Sequence, residues 1–171
     1  MAELSFENVR VPIANRIGEE GSGFTALMRN FQHVRLALAF YGHATAAIVL
    51  EDAIAYAKER QAFGRLIVGF QVTRHKLAQM ATQVNVARTF NYSIAQRVVN
   101  GEYLVGEVSM AKNFSARVAQ EVCYEAVQIF GGMGFMRETR VERLSRDARL
   151  LPIGGGTSEI MNEIIAKQLG L

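Results

Sequence analysis

The sequence predicts an all-α protein, an up-down four-helix bundle with a short β-strand at its N-terminus. Only two prolines occur, Pro12 and Pro152, so the long stretch between them lacks the residue that most strongly breaks helices. In this stretch apolar residues recur every three or four positions, the spacing of one helix face. Half of the 171 residues are hydrophobic, which argues against disorder and provides a core to bury.

The N-terminal part contains the predicted strand and the approach to the first helix. Residues 4–11 alternate between apolar and polar side chains, as a half-exposed strand does. A turn-like segment at residues 17–23 follows, and Ser22 is expected to cap the first helix. That helix is predicted from about residue 24 to residue 60, with Gly64 just past its C-terminal end.

Four further helices follow from the same periodicity and from the glycines that interrupt it. They are predicted at about 70–99, 104–129, 139–148 and 157–169. Because the links between the long helices are short, consecutive helices are expected to run antiparallel and form the bundle. The strand at residues 4–11 has no partner in this sequence, which indicates that the chain belongs to a larger protein.

Composition excludes several classes of protein. Cys123 is the only cysteine, so neither an internal disulfide nor a multi-cysteine metal site is expected, and no metal site is predicted. No apolar run of about 18 residues is free of charge, so a membrane span is not expected. No secretory signal precedes the strand. The net charge is +3 and the basic residues are dispersed, which disfavours a nucleic-acid-binding surface.

Six short motifs follow one another along the chain in a characteristic order. They are Leu4–Pro12, Gly18–Phe24, Arg60–Arg65 with Phe70–Gln71, Gln128–Phe135, Arg146–Arg149 and Ile153–Ile160. Together they resemble the C-terminal domain of the acyl-CoA dehydrogenase family and cover essentially the whole chain. The resemblance implies that residues 1–22 are a remnant of the middle β-domain and its linker, and that residues 23–171 are the C-terminal helical bundle domain.

The resemblance also implies the reaction. The family uses FAD to dehydrogenate acyl-CoA thioesters between the α and β carbons, so the chain is expected to be the flavin-binding and oligomerisation bundle of such a CH–CH oxidoreductase in fatty acid metabolism. The family's N-terminal helical domain and most of its β-domain are absent from this sequence. Catalysis by the chain alone is therefore not expected.

Ten residues fall on flavin-contacting positions of the family, in a cofactor site that lies across a subunit interface. They are Arg60, Gln61, Phe63, Phe70, Gln71, Gln128, Gly131, Gly132, Thr157 and Glu159. Considered without the resemblance, Arg60 could be a solvated arginine at a helix end, Gln128 could precede an ordinary helix stop, and Thr157 could be a plain N-cap. The flavin pyrophosphate needs a cation or a helix N-terminus, and Arg60 is the candidate cation. The helix start at Thr157, with its free N–H groups and hydroxyl, could hold a polar edge of the cofactor.

Two residues are expected to contact the substrate, and no residue is predicted to be catalytic. Arg35 and Gly156 fall on substrate-binding positions of the family; for Arg35 a buried or interfacial ion pair is an equal alternative. The family places its proton-abstracting carboxylate either at the position of Val34 or at that of Gly155. Neither residue can accept a proton, and loss of a general base typically costs about 10²- to 10⁴-fold in rate. His33 is expected on the surface.

Three explanations of the missing base remain open. The chain could come from a family member that has lost dehydrogenation, from one subunit of a hetero-oligomer whose partner supplies the base, or from an enzyme altered at Val34. The alternative function is a non-catalytic oligomerisation or partner subunit of an acyl-CoA dehydrogenase-like complex. Nucleic-acid binding, known in a branch of the superfamily, is the least favoured reading.

Partners and location follow only from the resemblance. It implies an acyl-CoA substrate, a homodimer or homotetramer formed through the bundle, and an electron-transfer partner. It further implies the bacterial cytoplasm or the mitochondrial matrix.

Overall fold

The computed structural model describes residues 2–171 and confirms the all-α class. Its helices are α1 (Gly23–Glu59), α2 (Gln71–Val99), α3 (Val105–Phe130), α4 (Gly132–Phe135), α5 (Arg140–Ala148) and α6 (Ser158–Gln168). Two strands of two residues each, β1 (Gln61–Ala62) and β2 (Arg65–Leu66), form a hairpin between α1 and α2. The five helices expected from periodicity are present, and the predicted bounds differ from the observed ones by at most one residue.

Helix α3 is the centre of the bundle. It packs against α1, α2, α5 and α6, and α1 also packs along α2. The main hydrophobic core lies between α1, α2 and α3 and includes Val49, Met80 and Val122, each at most 2% exposed. Leu151, in the loop after α5, closes this core.

Helices α1 and α3 approach each other closely because small residues line their contact. The chain places Ala46 and Ala53 on α1 opposite Ala119 on α3, and all three are fully buried. Gly42 lies in the same contact, where an added Cβ would come within 2.8 Å of the carbonyl oxygen of Ser115. The backbones of the two helices therefore meet at Gly42.

Replacing Gly42 with alanine is expected to destabilise the chain by about 1–3 kcal/mol, because the new methyl group would overlap backbone rather than a movable side chain. Gly23→Ala is the matched control, since a Cβ at Gly23 has open space around it at the start of the same helix. Urea unfolding curves of the two variants measure the difference. Equal midpoints would show that the helices do not cross at Gly42.

A buried polar cluster links α1, α2 and α3 next to this contact. The side-chain amide of Asn91, which is fully buried, donates to the carbonyl oxygen of Ala39 at 3.0 Å and to the hydroxyl of Ser115 at 2.9 Å. It also lies 3.0 Å from Nδ1 of His43. Burial lowers the pKa of His43, so the neutral imidazole is the form that suits this cluster.

The N-terminal strand prediction is wrong for this chain. Residues 4–11 form no strand, and their apolar side chains are exposed, with Phe6 at 79%. A strand needs a neighbour to pair its backbone N–H and C=O groups, and residues 2–171 contain none beside this segment. Ser22 precedes α1 as expected, but its hydroxyl donates to the carbonyl oxygen of Glu19 instead of capping the helix. Met1 lies outside the described residues.

The end of α1 also differs from the prediction. The helix ends at Glu59, and Gly64 lies in the turn of the β1–β2 hairpin instead of following the helix directly. Phe63 and Gly64 have φ angles of 54° and 77°, the pair of positive values that a type I′ turn requires. Evidence for this turn in the sequence was weak, because Phe63 is not one of the residues that usually adopt a positive φ angle.

By length and composition α1 could cross a membrane, but the helix is one of the core helices of the bundle. Cys123 is free and buried, and burial raises the pKa of its thiol to about 12. Within residues 2–171 no group of three or more His, Cys, Asp or Glu side chains is arranged to hold a metal ion.

Candidate functional site

The predicted site residues fall into two groups at different places on the bundle. The first group, here called the hairpin groove, lies where the β1–β2 hairpin and the start of α2 meet the end of α3. The second group, here called the glycine loop, consists of residues 154–157 and the side chains that hold them. Lys112 and Gln128 mark the two groups on α3, and 16 residues at 1.5 Å each separate them by about 24 Å along the helix axis.

The hairpin groove is lined by aromatic and polar side chains. It has a volume of about 450 Å³ and brings together Phe63, Phe70 and Gln128, three residues predicted to contact the cofactor. The ring of Phe63 is 96% exposed and lies edge-on to the ring of Phe70, with 6.3 Å between centroids. The guanidinium of Arg65 lies 4.0 Å from the centroid of the Phe70 ring.

The backbone explains why these residues meet. Arg60 caps the C-terminus of α1, and its carbonyl oxygen accepts a hydrogen bond of 2.8 Å from the N–H of Ile67, which closes the hairpin loop onto the helix end. Tyr56, one turn earlier, stacks on Phe130 at the end of α3, with 4.2 Å between ring centroids. This stacking fixes the end of α1 beside the end of α3 and so places the hairpin next to Gln128.

The remaining predicted residues of this group surround the groove without lining it. Arg60 and Gln61 are exposed at the foot of the hairpin, and Gln71 is the exposed first residue of α2. Gly131 and Gly132 are exposed just after α3, and a Cβ at either would meet nothing within 4 Å.

Each glycine after α3 has a different role. Gly131 adopts φ 59° and ψ −134°, a conformation that L residues rarely adopt. The close backbone approach is made by Gly134, where a Cβ would lie 2.5 Å from the carbonyl oxygen of Val127. Approach of another chain's backbone to Gly131 and Gly132 stays a prediction.

The glycine loop precedes α6 and packs against α1 and α3. Gly155 and Gly156 have φ angles of 69° and 105°, which side-chain-bearing residues rarely adopt. Thr157 caps α6 as predicted, its hydroxyl accepting a hydrogen bond of 3.4 Å from the N–H of Ile160. The carboxylate of Glu159 is exposed, and hydrogen bonds from its own backbone N–H and from the Thr157 hydroxyl lower its pKa.

The two positions where the family places its base meet at this loop. An ideal Cβ at Gly155 would lie 4.0 Å from Cγ1 of Val34 and 2.7 Å from Cδ1 of Leu38. Val34 is 37% exposed, so its side chain has room on the open side. Positions 34 and 155, which are 121 residues apart in sequence, therefore face the same point.

Two cations hold the loop from the inside. Arg35 is 5% exposed, and its Nε donates to the carbonyl oxygen of Gly155 at 3.0 Å. Lys112 is 1% exposed, and its ammonium donates to the carbonyl oxygen of Gly156. Within residues 2–171 Arg35 forms no ion pair, and an ion pair with another subunit stays a prediction. Burial lowers the pKa of both groups, and for Lys112 the neighbouring Arg35 lowers it further.

Sequence reasoning missed Lys112. The pattern that could have identified it is its helical spacing from Val108, Ser115 and Ala119, which places the lysine on the buried face of α3. A lysine on such a face is seldom fully buried without a partner. His33, in contrast, is exposed as predicted.

A further groove runs along the first half of α1 beside the α2–α3 connection. Phe24, Gln32 and His33 line it together with Tyr103, and on α1 it extends as far as Leu36. The side-chain oxygen Oε1 of Gln32 is buried and has no hydrogen-bond partner among residues 2–171.

The fold and the two groups of residues define the chain as a helical bundle domain with an exposed aromatic hairpin and a cation-held glycine loop. The family model described as "Acyl-CoA dehydrogenase, C-terminal domain" matches residues 21–170. The chain belongs to the acyl-CoA dehydrogenase family.

Known proteins are similar to this chain in sequence and structure over nearly its whole length. The crystal structure of a probable acyl-CoA dehydrogenase from Mycobacterium abscessus is 54% identical, with a TM-score of 0.94 over 97% of this chain and 44% of that one. The butyryl-CoA dehydrogenase structure from Megasphaera elsdenii is 36% identical, with a TM-score of 0.94 over 97% and 43%. A subunit of the caffeyl-CoA reductase–Etf complex from Acetobacterium woodii is 38% identical over 98% of this chain and 44% of its own length. The chain thus spans less than half the length of these relatives.

Proposed function

We propose that this chain is the C-terminal bundle of an FAD-dependent acyl-CoA dehydrogenase, which removes hydrogen from the α and β carbons of an acyl-CoA thioester. The observation that carries the proposal is the meeting of positions 34 and 155 beside the buried Arg35. A site for α-proton abstraction needs one point next to the thioester that a base can reach, and the proximity of positions 34 and 155 supports the proposal that this point lies here.

The hairpin groove is a chemically suitable place for FAD. Exposed aromatic rings such as Phe63 can stack on an adenine or flavin ring, and the amide of Gln128 can both donate and accept hydrogen bonds. The cationic side chains of Arg60, Arg65 and Lys76 at or beside the groove suit a pyrophosphate. Of the cofactor residues, Thr157 and Glu159 are proposed to contact flavin separately, at the glycine loop.

In the proposed reaction FAD, when bound, accepts the β-hydrogen as a hydride. Arg35 and Gly156 are proposed to contact the substrate at the glycine loop, and the groove lined by Gln32, His33 and Tyr103 suits the polar arm of an acyl-CoA. Val34 and Gly155 offer no proton acceptor, so neither family position supplies a recipient for the α-proton. The second candidate function is a non-catalytic oligomerisation or partner subunit. The absence of a carboxylate at positions 34 and 155 favours it.

The proposed partners follow from the family and from exposed surface. A homodimer or homotetramer through the bundle would cover the hairpin groove with a second copy, and light scattering after size exclusion measures this state. An electron-transfer partner is suggested by the Acetobacterium woodii relative, whose name places it in a complex with Etf. The bacterial cytoplasm or mitochondrial matrix stays the predicted location.

The flavin proposal is tested in a chimaera in which this chain replaces the corresponding part of the Megasphaera elsdenii butyryl-CoA dehydrogenase. The chimaera is expected to retain FAD, seen as flavin absorbance, whereas the isolated chain is expected to lose it. Phe63→Ala is expected to weaken FAD binding by about 1–3 kcal/mol, the usual value of one aromatic stacking contact. A chimaera that folds and assembles but takes up no flavin would contradict the proposal.

Phe135→Ala provides the matched control for Phe63→Ala. Phe135 is also largely exposed, at 83%, but it does not line the hairpin groove. Its replacement is expected to leave FAD affinity unchanged. Equal losses in both variants would indicate a general surface effect instead of a flavin contact.

A further inference from the structure

We propose that Lys112 is a positioning residue, whose ammonium, together with Arg35, sets the backbone of the glycine loop by binding two consecutive carbonyl oxygens. Lys112 holds the carbonyl oxygen of Gly156, and Arg35 holds that of Gly155. The functional side of this inference rests on the proposed acyl-CoA site; the structural side does not.

The environment of Lys112 gives it no other evident purpose. Its side chain is 1% exposed, and within residues 2–171 no carboxylate forms an ion pair with it. Burying an ammonium costs several kcal/mol, and a methionine of similar length would fill the same space without that cost. Among residues 2–171 the Gly156 carbonyl oxygen is the one acceptor to which the ammonium donates a hydrogen bond.

Two bound carbonyls determine where the neighbouring N–H groups point. In a trans peptide the C=O of one residue and the N–H of the next point in opposite directions. Because the carbonyl oxygens of Gly155 and Gly156 face the buried cations, the N–H groups of Gly156 and Thr157 face away from them. Neither N–H has a hydrogen-bond partner among residues 2–171.

The loop conformation makes such a restraint necessary. Gly155 and Gly156 both have positive φ, and glycine has the widest choice of backbone conformations of any residue. Without the two cations the loop would be free to turn its peptide groups, and the two N–H groups would lose their common direction. The lysine and the arginine thus replace the side-chain packing that glycines lack.

The test is Lys112→Met, studied by NMR in the isolated chain, with Lys76→Met as the matched control. Lys76 pairs with Glu125 in a partly exposed ion pair away from the loop. Lys112→Met is expected to keep the helical circular dichroism while the ¹⁵N order parameters of residues 155–157 fall from about 0.85 to below about 0.6. Lys76→Met should leave them unchanged, and Lys112→Arg should restore them. Unchanged order and chemical shifts of the loop in Lys112→Met would overturn the proposal.

If Lys112→Met fails to fold, a measurement on the unaltered chain tests the hydrogen bond between Lys112 and Gly156. The hydrogen bond predicts a scalar coupling between the ¹⁵Nζ of Lys112 and the carbonyl carbon of Gly156, together with slow exchange of the ammonium protons. Absence of the coupling, with exchange as fast as that of exposed lysines, would overturn the proposal. Neither NMR experiment requires flavin or thioester, so their failure is distinguishable from failure of the proposed function.

The effect of Lys112 on the rate of flavin reduction is measured in the chimaera that carries the substitution Val34→Glu. Lys112→Met is expected to lower acyl-CoA-driven flavin reduction about 100-fold, the usual cost of a 1 Å misplacement, without loss of bound FAD. Lys112→Arg should recover most of the rate. Equal rates in Lys112→Met and its parent would contradict a role of Lys112 in catalysis. Its role in ordering the glycine loop is tested separately by the NMR measurements.

Discussion

Replacing Val34 with glutamate in the chimaera is expected to raise the rate of acyl-CoA-driven flavin reduction by about 10²- to 10⁴-fold. Position 34 faces the point shared with position 155, and the 37% exposure of Val34 leaves room for a longer side chain. The neighbouring guanidinium of Arg35 would favour the ionised carboxylate, while partial burial would oppose it. Stopped-flow bleaching of the flavin by butyryl-CoA measures the rate.

Val34→Gln is the control for this gain, because glutamine has the shape of glutamate but accepts no proton at neutral pH. It is expected to leave the rate at the level of the unaltered chimaera. An equal rise in Val34→Gln would show that size, and not proton acceptance, limits the reaction. No rise in either variant would favour the reading of a partner subunit or a family member that has lost dehydrogenation.

The structure distinguishes position 34 from position 155 as a place for the base. A glutamate at Gly155 would adopt a φ of 69°, which is strained for a side-chain-bearing residue, and its Cβ would overlap Leu38 at 2.7 Å. Gly155→Glu is therefore expected to recover much less activity than Val34→Glu. Of the three explanations of the missing base, this geometry fits an enzyme that was altered at Val34.

Replacing Asn91 with alanine is expected to destabilise the chain by about 2–4 kcal/mol. Asn91 is fully buried and its amide binds the Ala39 carbonyl, the Ser115 hydroxyl and the His43 ring at 2.9–3.0 Å. Removal of the amide leaves several buried polar groups without this partner, at about 1–3 kcal/mol each before relaxation. It also opens a cavity between three helices. The midpoint of urea unfolding measures the loss.

Asn85→Ala is the matched control on the same helix. The side-chain amide of Asn85 donates to the carbonyl oxygen of Ala81 at 2.8 Å, but this bond is exposed to solvent. Its loss is expected to change stability by no more than about 0.5 kcal/mol. If both variants unfold at the same urea concentration, the buried cluster does not stabilise the bundle.

The helices were predictable because each depends on local sequence. Apolar spacing located α1, α2 and α3, and Thr157 identified the start of α6 through a side chain that bonds within its own helix turn. The N-terminal strand failed for the opposite reason, since strand formation depends on a neighbouring chain segment that residues 2–171 do not contain. The hairpin was missed because Phe63 adopts a positive φ that its residue type does not suggest.

The motifs indicated candidate members of the site but not how these residues are arranged. Motif order indicated Phe63, Phe70 and Gln128, whereas their meeting in one groove depends on the stacking of Tyr56 on Phe130. The separation of the hairpin groove from the glycine loop could not be read from the motifs, because it is set by the length of α3.

By itself, the sequence determined the helical class, the family and the absence of a carboxylate at positions 34 and 155, since these depend on residue types and their spacing along the chain. The tertiary structure alone decided that these two positions face one point and that a side chain at position 155 is strained. It also decided that Lys112 and Arg35 hold the glycine loop from within the core. Such relations depend on packing between segments more than 40 residues apart, where hydrophobic burial, and not local preference, brings the chain together.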